Sequence, residues 1–318
     1  MILVTGGAGF IGQRLVQRLV DEGHSVRILI RPSASSPRLP QGLSVQAAIS
    51  SLADPRGLRA ALVGVDAIYH LAAVDWLDPA ANFRATETEG TRNLLDAAQD
   101  AGVGRFVFVS HLGADRAAAF AALKAKGIAE EFVRQSPLAF TILRSGLVFG
   151  PRDHFTTGLA KLLAFARVFA LPLDGRILMQ PLWIEDLVSC LTWCMAGEET
   201  VGQTIEVGGP EHISLRRVCE MIRDKAGLDT RMISGRPSYL RLLVSLLKAV
   251  KPRLPVSNYW LDYFAANRIC ELDTLPRAFH LLPARFSQKT EYLAGVDWRQ
   301  ILRTEMAAPL LRPTLQIE

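Results

Sequence analysis

Cysteine is scarce in this chain. Four residues, Cys190, Cys194, Cys219 and Cys270, are spread through 318 positions without metal-like spacing, so neither a metal centre nor a disulfide framework is expected. Cys190 and Cys194 stand four apart on a helical stretch and read as core thiols, which suits a reducing cytoplasm. Long uninterrupted apolar runs are missing too. Segment 155–173 is rich in Leu, Ala and Phe, but Lys161, Arg167 and other interruptions leave nothing that would span a bilayer. No internal repeat is visible, and no aromatic-basic stripe accompanies the net charge of +5, so nucleic acid is not expected as a partner. That modest positive excess suits an anionic cofactor or an anionic membrane surface. Met1 runs directly into a strand pattern, from which no signal or transit peptide is expected.

What is present is a chain 49% hydrophobic and 21% charged, enough for a large buried core. It opens Ile2-Leu3-Val4-Thr5-Gly6-Gly7-Ala8-Gly9-Phe10-Ile11-Gly12, an apolar strand followed by a turn with glycines at 6, 9 and 12. Residues 13–20 then repeat at helical spacing. Glycine permits the tight strand-to-helix turn and lets backbone N–H groups approach a pyrophosphate, whose charge the helix N-terminus favours. A dinucleotide site is therefore expected here.

Strand patterns at 2–5, 25–30, 44–48, 67–71, 105–110 and 139–143 alternate with helical ones near 10–22, 55–62, 80–101 and 116–134. This alternation predicts an α/β fold, a Rossmann-type doubly wound parallel sheet. After position 150 the elements shorten: a helix near 157–168, the segment 178–184, a helix from Asp186, a strand at 204–207 and a helix at 215–226. The expected division is a nucleotide-binding domain over 1–150 and a smaller mixed lobe over 151–318, partly interleaved with the first. Asp186 reads as the N-cap of its helix and Trp183 as lobe core.

Strand two ends in Arg31, where an NAD-type site would carry a carboxylate for the ribose 2′-hydroxyl. A guanidinium accepts a 2′-phosphate that an acid would repel, so NADP(H) is expected over NAD(H). Arg38 competes for the same role.

The stretch Thr5–Gly12, together with His70-Leu71-Ala72-Ala73, Glu89-Gly90-Thr91-Arg92-Asn93-Leu94 and 143–153, resembles the extended and atypical short-chain dehydrogenase/reductases of the epimerase/dehydratase type. The likeness covers about residues 1–230. Two further pieces, Val109-Ser110-His111-Leu112-Gly113-Ala114 and 180–186, resemble the branch containing the nucleotide-binding accessory subunit of respiratory complex I. The resemblance implies a cofactor set. Thr5, Gly6, Gly9, Phe10, Ile11 and Gly12 would surround the pyrophosphate and Arg31 the 2′-phosphate. Leu71, Ala72 and Ala73 would give close backbone approach, with Ser110 and Lys124 at the nicotinamide end.

Active members of the superfamily use a Ser, a Tyr and a Lys, the last two spaced Tyr-x-x-x-Lys on one helical face. By resemblance, the Lys binds the nicotinamide ribose and lowers the Tyr pKa so that the phenol passes a proton. The matching stretch is Phe120-Ala121-Ala122-Leu123-Lys124, with Lys124 in place and Phe120 lacking the hydroxyl. The five tyrosines lie at 69, 239, 259, 263 and 292. The superfamily's Ser falls on His111, with Ser110 one position early and facing the opposite way. Glu87 stands where Asn is common, and Ser51 replaces the Asp that would contact adenine. Losing a positioned general acid typically forfeits ~10²–10⁴ in rate. With an ordinary pKa near ~6.5, His111 is the candidate proton donor, unless it only bonds backbone or cofactor. Arg152, Asp153 and His154 either line the nicotinamide end or form a solvated loop.

Two functional readings follow. One is a nucleotide binder with a degenerate catalytic position, in which NADP(H) is a structural or redox-sensing ligand and surface contacts carry the role. The other is an NADP-dependent oxidoreductase or isomerase on a small apolar, quinone- or isoprenoid-like substrate, using His111 and Lys124. The basic apolar segment 239–251 either lies on an anionic membrane surface or packs over the substrate lobe. The location expected is cytoplasmic or peripheral at a membrane's inner face.

Overall fold

The computed structural model describes residues 1–32, 42–74, 77 and 82–307; the competing Arg38 lies outside them. Six strands alternate with helices as the periodicity predicts. They are β1 (Ile2–Thr5), β2 (Val26–Ile30), β3 (Gln46–Ile49), β4 (Ala67–His70), β5 (Arg105–His111) and β6 (Ala139–Ser145). The crossovers carry α1 (Phe10–Asp21), α2 (Pro55–Ala61), α3 (Gly90–Asp100) and α4 (Ala121–Gln135). The strand Gln203–Val207 completes one seven-stranded sheet in the order β3, β2, β1, β4, β5, β6, Gln203–Val207. Every pairing in that sheet is parallel. Strand order reverses between β1 and β4, which opens a crevice at the carboxyl ends of the strands, the ligand side of such sheets.

A parallel sheet buries both faces, so side-chain alternation sorts its residues into two cores. Val4, Ile28, Val107, Val109 and Leu143 pack on one side with α1 and with residues of the helix Ile184–Ala196. Leu3, Ile68, Phe106, Phe108 and Ile142 pack on the other with α2, α3 and α4. The chain beyond 150 thus returns to the nucleotide fold, supplying a covering helix and the seventh strand. Between these returns it builds its own core from α5 (Thr156–Phe165), the helix Leu215–Lys225 and Phe149, Phe286 and Trp298.

Several boundaries differ from the sequence reading, each for a local reason. The helix read at 80–101 is α3 preceded by one π-helical turn, Arg84–Glu89, which brings Glu87 inward to full burial. The helix read from 116 starts at Ala121, because Asp115 first makes a side-chain turn, accepting from the Ala117 N–H at 2.7 Å. Gly127 of α4 lies on that turn; a Cβ there would sit 2.3 Å from the Asp115 carbonyl carbon. Val168 belongs to a strand, Val168–Pro172, paired with Arg231–Gly235 and not to α5. Asp186 is not an N-cap: the helix begins at Ile184, and the Asp186 carboxylate accepts the Ala284 N–H at 2.8 Å.

The basic apolar segment forms a helix, Pro237–Val250, in which only Leu240 is buried. Tyr239 (67% exposed), Leu242, Leu243, Leu246 and Val250 (78%) follow one face into solvent. Packing over the lobe is therefore not what this face does. No helix among the described residues is long and apolar enough to cross a membrane.

A tight steric constraint sits at the first turn. Gly6 has φ +69°, and a Cβ on Gly12 would fall 2.2 Å from the Gly6 oxygen and 2.6 Å from the Gly7 Cα. At Gly9 the nearest atom is 3.2 Å away. Gly12→Ala should cost at least about 1–3 kcal/mol of overpacking, while Gly9→Ala should cost clearly less. Urea unfolding of both variants checks this; equal losses would contradict it.

Candidate functional site

The turn after β1 and the loop after β4 touch at the carboxyl edge of the sheet. A Cβ on Gly6 would lie 2.7–2.8 Å from the Leu71 carbonyl carbon and the Ala72 nitrogen, so only glycine permits the contact. Leu71 N–H donates to the Thr5 carbonyl at 3.2 Å. The N-terminus of α1 points into this crevice with Gly9 at its cap, no capping side chain and no acidic residue in its first turn. Such an end offers free N–H donors and a positive dipole to an anion. Those features fit a dinucleotide pyrophosphate. Phe10 and Ile11 are half-buried and pack against the core below.

A buried relay fixes the two strands behind the turn. Ala72 N–H donates to Thr5 Oγ1 at 3.2 Å, and Thr5 Oγ1 lies 2.7 Å from His70 Nδ1. His70 Nε2 is 2.9 Å from Thr91 Oγ1, whose hydroxyl donates to the Glu87 carbonyl at 2.5 Å. Because Thr91 spends its proton on Glu87, His70 must donate from Nε2 and accept at Nδ1 from Thr5. Burial, then the charge of Lys126, pushes the His70 pKa down to about 3. The imidazole is a neutral strut.

The nicotinamide end differs from expectation at its lysine. Lys124 is on the exposed face of α4, whereas Lys126 is 3% exposed and inward. Its Nζ pairs with Glu87 at 2.8 Å, donates to the Val109 carbonyl at 3.2 Å and sits 4.8 Å over the Phe108 ring. Counting four residues back from Lys126 reaches Ala122, not Phe120. Phe120 is the N-cap of α4 and half-buried. Neither position carries a hydroxyl. Sequence reasoning missed Lys126 because Phe120 drew the spacing. A signal was available, since Ala122, Lys126, Ala129, Glu130 and Val133 form the buried stripe at helical spacing.

Ser110 and His111 end β5, beside Arg144 and Ser145 of β6. Ser110 is fully buried, and its Oγ finds no hydrogen-bond partner. His111 is half-buried, and desolvation followed by the charges of Lys126 and Arg268 takes its pKa down to about 3. It is therefore neutral at physiological pH, not the imidazolium that general acid catalysis would need. Tyr69 donates to the Leu191 carbonyl in the core, and Tyr292 meets Thr156 in the lobe. Tyr259 and Tyr263 approach the site, lining a small cavity with Phe120, Ala122 and Leu123.

At the adenosine end, Arg31 is exposed just beyond β2, with no ion pair among the described residues. Ser51 Oγ accepts the Ala53 N–H at 3.1 Å, a turn role. Asp153 is not part of a solvated loop: it is 2% exposed and accepts the N–H groups of Thr156 (3.1 Å) and Thr157 (3.0 Å) at the start of α5. Burial raises its pKa to about 6 against those hydrogen bonds. The four cysteines are buried and free, and no cluster among the described residues could hold a metal ion.

Comparison with known proteins places this geometry. An NAD(P)H-binding family model matches residues 6–158. The chain is 26% identical over 253 residues to NADH dehydrogenase (ubiquinone) 1 alpha subcomplex subunit 9, mitochondrial, of Arabidopsis thaliana, covering 78% of this chain and 61% of that protein. It is 29% identical over 192 residues to a ceramide reductase of Caulobacter vibrioides, covering 60% and 59%. The match thus spans about three fifths of the length of these relatives. In fold it is similar to a UDP-glucose 4-epimerase of Thermotoga maritima, with a TM-score of 0.70, 19% identity and coverage of 95% and 99%.

The neutral His70 has a measurable consequence. Unfolded, an imidazole takes a proton as pH falls through ~6.5; folded, His70 resists until about 3. Its contribution to stability is complete above the unfolded pKa and is lost as pH falls toward 3. His70→Gln should flatten the decline of unfolding free energy between about pH 6 and pH 4 by roughly 1.4 kcal/mol per pH unit. Urea titrations across that range measure it, and an unaltered slope would show that His70 is charged in the fold.

Proposed function

Because the chain belongs to the NAD(P)-binding, epimerase/dehydratase-like short-chain dehydrogenase/reductase superfamily, we propose that it binds NADP(H) as a structural or redox-sensing ligand and that surface contacts carry its role. The observation that carries this reading is the α4 register. The inward lysine is Lys126, and the residue one turn before it is Ala122. Hydride delivery to a carbonyl leaves an alkoxide, and Ala122 has nothing to protonate it.

Cofactor retention has its own support. The open N-terminus of α1 and the Gly6–Ala72 contact suit a pyrophosphate. Lys126 donates one N–H to the Val109 carbonyl and pairs in charge with Glu87, and an ammonium has three N–H groups, so a donor remains for a ribose hydroxyl. Arg31, exposed and without an ion pair among the described residues, suits a 2′-phosphate. When bound, the nucleotide would supply a nicotinamide able to gain or lose hydride.

The surface that would carry the role is the helix Pro237–Val250. Its apolar face is uncovered, and residues 231–253 hold six Arg or Lys and no acid. An anionic lipid surface complements both properties. The relative named as an NADH dehydrogenase (ubiquinone) subunit is consistent with a contact-based role, and the ceramide reductase keeps a second reading in view. That alternative is an NADP-dependent oxidoreductase or isomerase on a small apolar substrate, supported by the aromatic side chains of Phe120, Tyr259 and Tyr263 around Ala122.

Three measurements separate these readings. Purified protein offered NADPH and carbonyl or quinone substrates should leave the nucleotide unconsumed; saturable oxidation would establish the second reading, and its loss in His111→Ala would identify His111 as the proton donor. Fluorescence titration should show Arg31→Asp weakening NADPH relative to NADH by about tenfold or more, the scale of a charged hydrogen bond; an unchanged ratio removes the phosphate assignment. In flotation with anionic liposomes the protein should rise, and Leu242→Glu with Leu246→Glu should stay at the bottom. Wild-type protein that also stays down would remove the membrane contact.

A further inference from the structure

Arg268 reaches the end of β5 from far along the chain. It is 8% exposed, and its Nε is fully enclosed without a hydrogen-bond partner. Its backbone is fixed: the N–H donates to the Leu178 carbonyl at 2.8 Å, bridging to Met179 beside it. The side chain then reaches the end of β5. A Cβ on Gly113, two residues beyond His111, would lie 2.6 Å from one Arg268 terminal nitrogen. The guanidinium stands 5.3 Å from the centre of the Tyr263 ring. Gly113, at φ +81°, leaves the space this fork occupies.

No carboxylate neutralises this cation among the described residues. Asp262, next to Tyr263, is paired with Arg241, and Glu87 with Lys126. His111 is neutral, and the phenol of Tyr263 is held un-ionised by burial. Every other strongly buried charge nearby has a counter-charge: Lys126 has Glu87, and Glu130 has Arg144 and Arg134. An isolated buried charge is expensive to hold, by several kcal/mol in general. Among the described residues this planar donor fork has no counter-charge, an arrangement that suits a charge from outside.

We propose that Arg268 is the anchor of an oxyanion site at the carboxyl end of β5, taking the carboxylate or phosphate group of an organic ligand with an apolar body. A guanidinium fork suits two oxygens of one such group. The body would lie along Tyr263, on the side where a small void is lined by Tyr259, Asp262, Phe120, Ala122 and Leu123. The site lies apart from Arg31 and the α1 N-terminus, so it does not depend on the dinucleotide reading, nor on whether the nucleotide turns over.

The test uses the full chain and two probes, inorganic phosphate and octanoate below its micellar range, against chloride at equal ionic strength. Binding is followed by thermal shift and calorimetry in wild type, Arg268→Met, Arg268→Lys and Arg31→Ser. Wild type and Arg31→Ser should bind at least one oxyanion that chloride does not replace. Arg268→Met should lose at least tenfold in affinity while unfolding no earlier than wild type, since it removes an unmatched charge. Arg268→Lys keeps the charge but not the fork and should bind at an intermediate level, which preserves the test if the Met variant does not fold. Octanoate binding alone identifies a carboxylate head, and phosphate binding alone a phosphate head. Absence of both, or binding unchanged in the Arg268 variants, overturns the proposal. Binding lost only in Arg31→Ser assigns the anion to the cofactor's phosphate and overturns it equally. Repeating the titration with NADPH present reads the dinucleotide separately, so a protein that ignores NADPH but binds octanoate through Arg268 fails only the cofactor reading.

Discussion

The ion pair between Lys126 and Glu87 constrains the whole nicotinamide end. Both side chains are 3% exposed or less, and deleting one partner of such a pair generally costs about 3–5 kcal/mol by stranding the other. Glu87 also accepts the Val74 N–H at 2.8 Å, and Lys126 donates to the Val109 carbonyl. One pair thus joins the loop after β4, the π-helical turn before α3, the helix α4 and the strand β5. The π-helical turn has a reason in this light: it rotates Glu87 into a layer otherwise filled by Phe106 and Phe108.

Around that pair the site is electrostatically set and has little to offer in mobile protons. His70 is locked between Thr5 and Thr91, and His111 is neutral for want of water and for the cations beside it. The lysine that would lower a phenol's pKa faces an alanine one turn earlier. Arg268 departs from the pattern: its Nε is enclosed without a hydrogen-bond partner, and no carboxylate among the described residues pairs with it.

Two surfaces then divide the molecule. At the carboxyl edge of the sheet, the glycine turn and the open end of α1 form a rigid cradle whose geometry depends on missing Cβ atoms. On the outer side of the lobe, the helix Pro237–Val250 keeps an apolar face in solvent, with basic residues on and beside it. The lobe's own core, centred on Phe149, Phe286 and Trp298, is complete without that face.

The amino-acid order alone determined the parallel sheet, the glycine turn, the basic end of β2 and the missing hydroxyl. These depend on local rules: period-two and period-3.6 burial, glycine at tight turns, and the residue types at a strand tip. It could not determine which lysine of α4 faces inward. Lys124 and Lys126 differ by 200° around the helix, and where the helix begins depends on the Asp115 turn and on Gly127 lying against it. Nor could it give the charge of His111, which is set by neighbours remote in sequence and by the water they exclude. The approach of Arg268 to Gly113 joins positions 155 residues apart, and the uncovered face of Pro237–Val250 is visible only once the lobe beneath it has been packed. Pattern along a chain reports short-range geometry; burial, protonation and counter-charge belong to the assembled interior.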